Sequence, residues 1–220
     1  MVSLSCKPQA SQNGPSSNIS LNQSFITLMK YCDTHLYELS ADSLAYYGDS
    51  IFRYSYSIDT SGSNSNSLMI KLLEQALKKD QKSTKAAIRL FNQYTFTKQY
   101  EKALNISTIY LNDSSDHVLL LEKSMIYYKI GEKGKANSGF KAVRSRCEKL
   151  LTNPYLKKDY YLGHMWNISM VIFIQESKEK SLLNFKSAID KYPDDLFVSG
   201  LYEKIEGYNS VNDLIDNNLP

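Results

Sequence analysis

Apolar residues recur along this chain at intervals of three and four, the spacing that places side chains on one face of an α-helix. The first such stripe comprises Phe25, Leu28, Met29, Cys32, Leu36 and Leu39. Further helices are predicted at 42–57, 68–79, 84–97, 100–111, 118–130, 135–151, 160–176, 178–191 and 196–206. Short polar turns separate many of these segments. The pattern therefore predicts an all-α fold.

One spacing occurs three times. Each copy begins with a Tyr or Ile and has a small residue nine positions later. An aromatic residue or Ser follows after four more positions, and a further residue after three more. Small residues let neighbouring helices approach closely, and a larger side chain fills the remaining gap. Such a recurrence indicates a two-helix unit built several times, which is stable only when the units stack. The three sets are Tyr94, Ala103, Ser107, Tyr110; Tyr127, Ala136, Phe140, Val143; and Ile172, Ser181, Phe185, Ala188.

These motifs resemble the tetratricopeptide repeat, a helix-turn-helix unit of about 34 residues. Further matching positions are Leu90, Ser124, Tyr128, Gly131, Ile168, Ser169 and Pro193, with a degenerate first copy at Gly48, Ile51, Met69, Leu73 and Ala76. The resemblance covers about positions 41 to 195. It implies an α-solenoid of stacked helix pairs, and a generic helical-repeat solenoid is the alternative.

The predicted organisation has three parts. Residues 1–22 carry one charge and many Ser, Asn and Gln residues, which predicts a disordered tether. Residues 23–209 form the repeat domain, with units at 41–80, 84–116, 117–151 and 160–195 and a capping helix at 196–206. The polar run 59–67 is predicted to be a mobile surface loop, and 210–220 a C-terminal tail with a short helical turn and a frayed end.

The three cysteines are widely spaced and contain no C-x-x-C motif, so neither a disulfide framework nor a metal motif is indicated. Cys32 and Cys147 are predicted to be small apolar residues in helix faces. Cys6 follows Leu4 and Ser5 in an arrangement that resembles the start of a mature bacterial lipoprotein. Lipidation would require a trimmed signal peptide, since five residues cannot form its apolar segment of about 7 to 15 residues. A membrane-anchored periplasmic lipoprotein and a cytoplasmic protein both remain open.

No catalytic constellation is apparent. His35, His117 and His164 stand apart, without the H-E-x-x-H spacing that places two ligands on one helix face. The run from Gly131 to Lys135 lacks the pattern of a phosphate loop and is interpreted as an inter-helix turn. There is no G-x-S-x-G elbow. We therefore predict a non-enzyme without cofactor or metal.

The predicted function is recognition of a protein. In the tetratricopeptide family the first helices line a concave groove, and that resemblance implies a groove for an extended peptide or a partner's helix. The positions it implies are Arg89, Asn92, Phe96, Glu122, Met125, Tyr128, Trp166, Met170 and Phe173. A nucleic-acid-binding or regulatory repeat protein of the cytoplasm is the alternative, although acidic neighbours accompany the Lys and Arg clusters and the net charge is only +3. No small-molecule substrate is expected.

Overall fold

The computed structural model describes residues 15–57, 63–111 and 116–219. Throughout these ranges the only regular secondary structure is α-helical, which confirms the predicted all-α class. The eleven helices found there are α1 (Pro15–Thr34), α2 (Ala41–Ser57), α3 (Ser63–Lys79), α4 (Thr84–Phe96), α5 (Tyr100–Tyr110), α6 (His117–Lys129), α7 (Lys133–Leu151), α8 (Lys158–Gln175), α9 (Lys178–Lys191), α10 (Leu196–Gly207) and α11 (Val211–Asn218).

The helices fall into two compact units, α1–α5 in the N-terminal unit and α6–α11 in the C-terminal unit. In the N-terminal unit α1 packs on α2 and α3, and then α2 on α3, α3 on α4 and α4 on α5. In the C-terminal unit each helix from α6 to α9 packs on the next, and α10 and α11 both contact α8. Neighbouring helices therefore pack in the order of the sequence.

The three repeated motifs share one hydrogen bond at the turn between their helices. In each copy the residue that precedes the second helix donates its backbone N–H to the carbonyl of the residue that opens the motif. The three bonds are Gln99 to Tyr94 at 2.7 Å, Glu132 to Tyr127 at 2.9 Å and Ser177 to Ile172 at 3.1 Å. The equivalent sequence positions thus occupy equivalent places in the backbone.

The first two of these turns also share a left-handed residue directly after the first helix. Lys98 has φ of 59° and Gly131 has φ of 83°. A left-handed residue combined with a backbone bond that spans five positions is the Schellman ending of a helix. Glycine adopts this conformation without a Cβ clash, whereas lysine is strained by it.

The helix faces predicted from the repeat spacing are confirmed. The repeated positions of the second helices are fully buried except for Tyr110, which is half-buried. The fully buried ones are Ala103, Ser107, Ala136, Phe140, Val143, Ser181, Phe185 and Ala188. Helices α6 and α7 pack closely at Gly139, where an added Cβ would lie 2.0 Å from Oγ of Ser124. The apolar stripe of each second helix is therefore the packing surface of its pair.

Two predicted boundaries are wrong. Helix α1 begins at Pro15, inside the predicted tether 1–22; proline suits the first helical position, where its missing N–H breaks no bond. Residues 1–14 lie outside the described part of the chain. Helix α3 begins at Ser63 inside the predicted loop 59–67, and Oδ1 of Asn66 accepts a 2.9 Å hydrogen bond from Nε2 of Gln93 on α4. Residues 59–62 lie outside the described ranges.

The predicted C-terminal tail, 210–220, is also largely helical. Helix α11 is capped by the Ser210 hydroxyl, which accepts the Asp213 N–H at 3.1 Å. Leu214 and Ile215 are fully buried in the core of the C-terminal unit. The apolar stripe Val211, Leu214 and Ile215 has helical spacing and explains why this segment docks.

No helix in the described part of the chain has both the length and the apolar character needed to cross a membrane.

Candidate functional site

The groove positions predicted on α4 remain at the surface of the N-terminal unit. Phe96 is exposed and Asn92 is half-buried. Arg89 is already paired, because its guanidinium lies 2.7 Å from the buried carboxylate of Asp49, which also binds Arg53. A buried carboxylate needs such partners. Arg89 is therefore committed to the fold more than to an incoming ligand.

The groove positions predicted on α6 and α8 are mostly core residues, which corrects that part of the interpretation. Met125, Trp166, Met170 and Phe173 are buried, whereas Glu122 and Tyr128 are half-buried. The Trp166 side chain is only 7% exposed and packs edge-on against Phe185, with ring centroids 6.3 Å apart. These four buried side chains cannot meet a partner at the surface.

The position of α8 explains this burial. Nearly every residue from Leu162 to Phe173 is buried, because α7, α9, α10 and α11 all contact this helix. A mostly apolar helix with no polar face belongs inside a bundle. The resemblance implied an exposed inner face on α8, but the few polar residues of this segment, His164, Asn167 and Ser169, are themselves buried.

An aromatic surface of the N-terminal unit is formed by α1, the turn that follows it and α2. We call Tyr31, His35, Tyr46 and Tyr47 the tyrosine patch. The Tyr31 ring lies 4.6 Å from His35 and 5.9 Å from Tyr47, and Tyr46 lies 5.6 Å from Tyr47, measured between centroids. Tyr31 and Tyr46 are exposed, while His35 and Tyr47 are half-buried. The rings support one another in tilted and edge-on contacts, which is the favourable arrangement for aromatic groups.

Acidic residues adjoin the tyrosine patch in the sequence. Asp33, Glu38 and Asp42 are exposed, and Oδ1 of Asp33 lies 4.0 Å from Nζ of Lys71. Glu38 lies 2.8 Å from Nδ1 of His35. Burial raises the pKa of Tyr47, and the neighbouring Tyr31 raises it further, so the Tyr47 hydroxyl stays neutral. The patch therefore combines neutral aromatic faces with adjoining acidic residues.

An open depression on the C-terminal unit, between α7 and the end of α8, carries both signs of charge. Arg144 lies 2.9 Å from Glu148 and 2.7 Å from Glu176, and Lys180 lies 2.9 Å from Glu176. These ion pairs occupy Arg144 and Lys180 with protein carboxylates, and Lys141 is the other cation of the lining. Binding of a phosphate backbone depends on several cations that neutralise successive phosphates, which this mixed lining does not offer.

Three potential metal ligands that the sequence places far apart are brought together in the C-terminal unit. His117, Cys147 and His164 come from α6, α7 and α8, and one ligand atom from each lies within 4.8 Å of the other two. The interpretation of His117 and His164 as isolated is therefore wrong. No linear motif could have found the cluster, because three different helices contribute one residue each.

Cys6, the predicted lipidation site, lies outside the described residues, so attachment to a membrane stays a prediction.

No protein-family model matches this chain, and neither a curated protein nor a solved structure matches it. The resemblance to tetratricopeptide repeats thus depends on the residue spacing alone.

Proposed function

We propose that this protein is a non-catalytic scaffold of tetratricopeptide-like helix pairs that binds another protein through the tyrosine patch. The observation that carries the proposal is the clustering of exposed aromatic rings on α1 and α2. Tyrosine is enriched at protein interfaces because it offers a large, rigid apolar face together with a hydroxyl. The repeat architecture is supported by the shared turn hydrogen bonds and by the buried faces of α5, α7 and α9.

The proposed partner is a protein segment that presents arginine together with apolar side chains. A guanidinium can stack on a tyrosine face and also pair with a carboxylate. Tyr31 and Tyr46 supply the faces, and the exposed Glu38 and Asp42 supply the carboxylates. Binding of this kind weakens with rising salt but persists in part, because the stacking component is not screened.

The test is affinity capture from the native host with the full chain as bait. We compare the wild type, a double variant Tyr31→Ser and Tyr46→Ser, and the control Tyr155→Ser, whose side chain in the C-terminal unit is 90% exposed. Exposed substitutions leave stability nearly unchanged, so all three baits fold. The proposal expects one discrete partner that the wild type and the control retain and the double variant loses.

Retention of the same partner by the double variant would refute the tyrosine patch as the contact surface. Sedimentation of the purified chain provides a second comparison, because a second copy is the other occupant of such a patch. Self-association that disappears in the double variant would replace the proposed arginine-bearing partner with a homodimer.

A further inference from the structure

Three side chains that bind transition metals meet in the C-terminal unit. His117 is the first residue of α6, Cys147 lies near the end of α7 and His164 lies in the first half of α8. Helix α6 packs on α7 and α7 packs on α8. The helix packing itself therefore holds the three ligand atoms within 4.8 Å of one another.

The two imidazole rings of the cluster are neighbours. Their ring centroids lie 4.8 Å apart. Imidazole nitrogens are the commonest metal ligands in proteins.

His164 also carries a polar atom that the fold leaves unsatisfied. Its side chain is only 5% exposed, and its buried Nδ1 has no hydrogen-bond partner in the described structure. An unpaired buried nitrogen disfavours folding, so such atoms call for an explanation. A ligand at this cluster would provide one.

Cys147 supplies a sulfur with a supporting partner. Asn167, one turn after His164 on α8, hydrogen-bonds to the Cys147 side chain and is itself buried. Metal ligands are typically held by an outer hydrogen bond of this kind, which fixes their orientation. The thiol is fully buried.

We propose that His117, Cys147 and His164 form a Zn²⁺ site. Two imidazole nitrogens and one thiolate suit this ion, which takes nitrogen and sulfur ligands in a tetrahedron. Zinc bond lengths of ~2.0 to 2.3 Å place neighbouring ligand atoms ~3.4 to 3.8 Å apart, so the cluster needs to contract by about one ångström. Binding forms two Zn–N bonds and one Zn–S bond, and the Cys147 proton passes to solvent.

The charges around the site include both signs. Asp116 and Glu148, each adjacent to a ligand in sequence, are negative, and Arg146 is positive. Asp116 caps α6, since its Oδ1 accepts the N–H of Val118 at 2.9 Å and of Leu119 at 3.2 Å. The three side chains would leave one tetrahedral position open for water. His117 is the least buried of the three ligands. The bound ion would tie α6, α7 and α8 together and make the stability of this unit depend on zinc.

The test is a titration of the full chain, first stripped of metal with a chelator, with Co²⁺ as a spectroscopic probe and then with Zn²⁺. The proposal expects one equivalent of Co²⁺, the intense visible bands of a tetrahedral ion, and a thiolate-to-cobalt band in the near ultraviolet. Zn²⁺ should displace the cobalt and raise the melting temperature. Absence of saturable binding at one equivalent would overturn the proposal.

Variants assign the ligands. Cys147→Ser should remove the thiolate band, and His117→Gln should weaken Zn²⁺ binding by at least about ten-fold. Cys32→Ala in the N-terminal unit is the matched control and should bind as the wild type does. His117 is half-buried, so His117→Gln keeps the test valid if the Cys147 variant fails to fold. Unchanged binding by His117→Gln would overturn the site, and a preference for copper with no zinc binding would overturn the choice of ion.

Discussion

The close approach of α6 and α7 at Gly139 yields a quantitative prediction for Gly139→Ala. The new Cβ would lie 2.0 Å from Oγ and 3.1 Å from Cβ of Ser124. Rotation of the Ser124 hydroxyl would break its 2.6 Å bond to the Leu120 carbonyl and would still leave the tight carbon contact. Overpacking of this kind lowers the free energy of unfolding by ~1 to 3 kcal/mol, whereas replacing glycine with alanine in a helix raises it by ~1 kcal/mol. We expect a net loss of ~1 kcal/mol.

Gly200→Ala is the matched control for Gly139→Ala. Gly200 lies on the exposed side of α10 with no atom within 4 Å of an added Cβ, so this variant gains only the helix-propensity term. Urea denaturation followed by the fluorescence of Trp166, the sole tryptophan, reports on the C-terminal unit that contains both sites. Ser124→Ala in the Gly139→Ala background should recover part of the loss. If both glycine variants stabilise the unit equally, α6 and α7 do not pack closely at Gly139.

Three further predictions follow from the turns and the core. Lys98→Gly should stabilise the N-terminal unit by ~0.5 to 1 kcal/mol, and Gly131→Ala should destabilise the C-terminal unit by a similar amount, because both positions are left-handed. Urea denaturation followed by circular dichroism measures both changes. Destabilisation by Lys98→Gly or stabilisation by Gly131→Ala would contradict the shared turn. Burial raises the pKa of Glu122 to about 8, so the folded state holds a proton that the unfolded chain releases near pH 4.5, and stability falls as pH rises from about 4.5 to about 8. Glu122→Gln should therefore become progressively more stable than the wild type between pH 5 and pH 8 in chemical denaturation, and a constant difference would show that the carboxyl is not buried. Trp166→Ala should lower the free energy of unfolding by ~3 to 5 kcal/mol, measured by denaturation followed by circular dichroism. A loss below ~1 kcal/mol would show that Trp166 is not a core residue.

Much of the helical structure could be predicted from the sequence, because helix faces are a local property. The stripe Ala136, Phe140 and Val143 fixes which side of α7 is buried, whatever the helix packs against. The turn at Gly131 is equally local, since one residue must adopt positive φ there. Predictions of this kind need no knowledge of the rest of the chain.

The candidate sites could not be predicted in the same way, because they depend on which helices become neighbours. Periodicity alone does not reveal that four helices surround α8, and so Trp166 was assigned to a groove. The same limit hid the cluster of His117, Cys147 and His164, whose members lie on three helices and follow no linear spacing. The tyrosine patch likewise joins α1 to α2 across a turn.

Two segments rich in Ser and Asn were predicted wrongly from their composition. Composition favoured disorder or a loop for residues 15–22 and 63–67, yet both are helical. Polar side chains are weak helix formers, but a cross-helix hydrogen bond such as Asn66 to Gln93 supplies tertiary support that composition does not reveal. Local preference was overridden by packing at these points.

Site-specific photo-crosslinking tests the central claim, recognition of a protein through the tyrosine patch, most directly. A benzophenone amino acid replaces Tyr46 in the patch or, as the control, Tyr155 in the C-terminal unit, and both chains are irradiated in the native host. Both side chains are exposed, so each probe is accessible. The account predicts a discrete cross-linked protein from position 46 that is missing from position 155. The same adducts from both positions, or none from position 46, would contradict it.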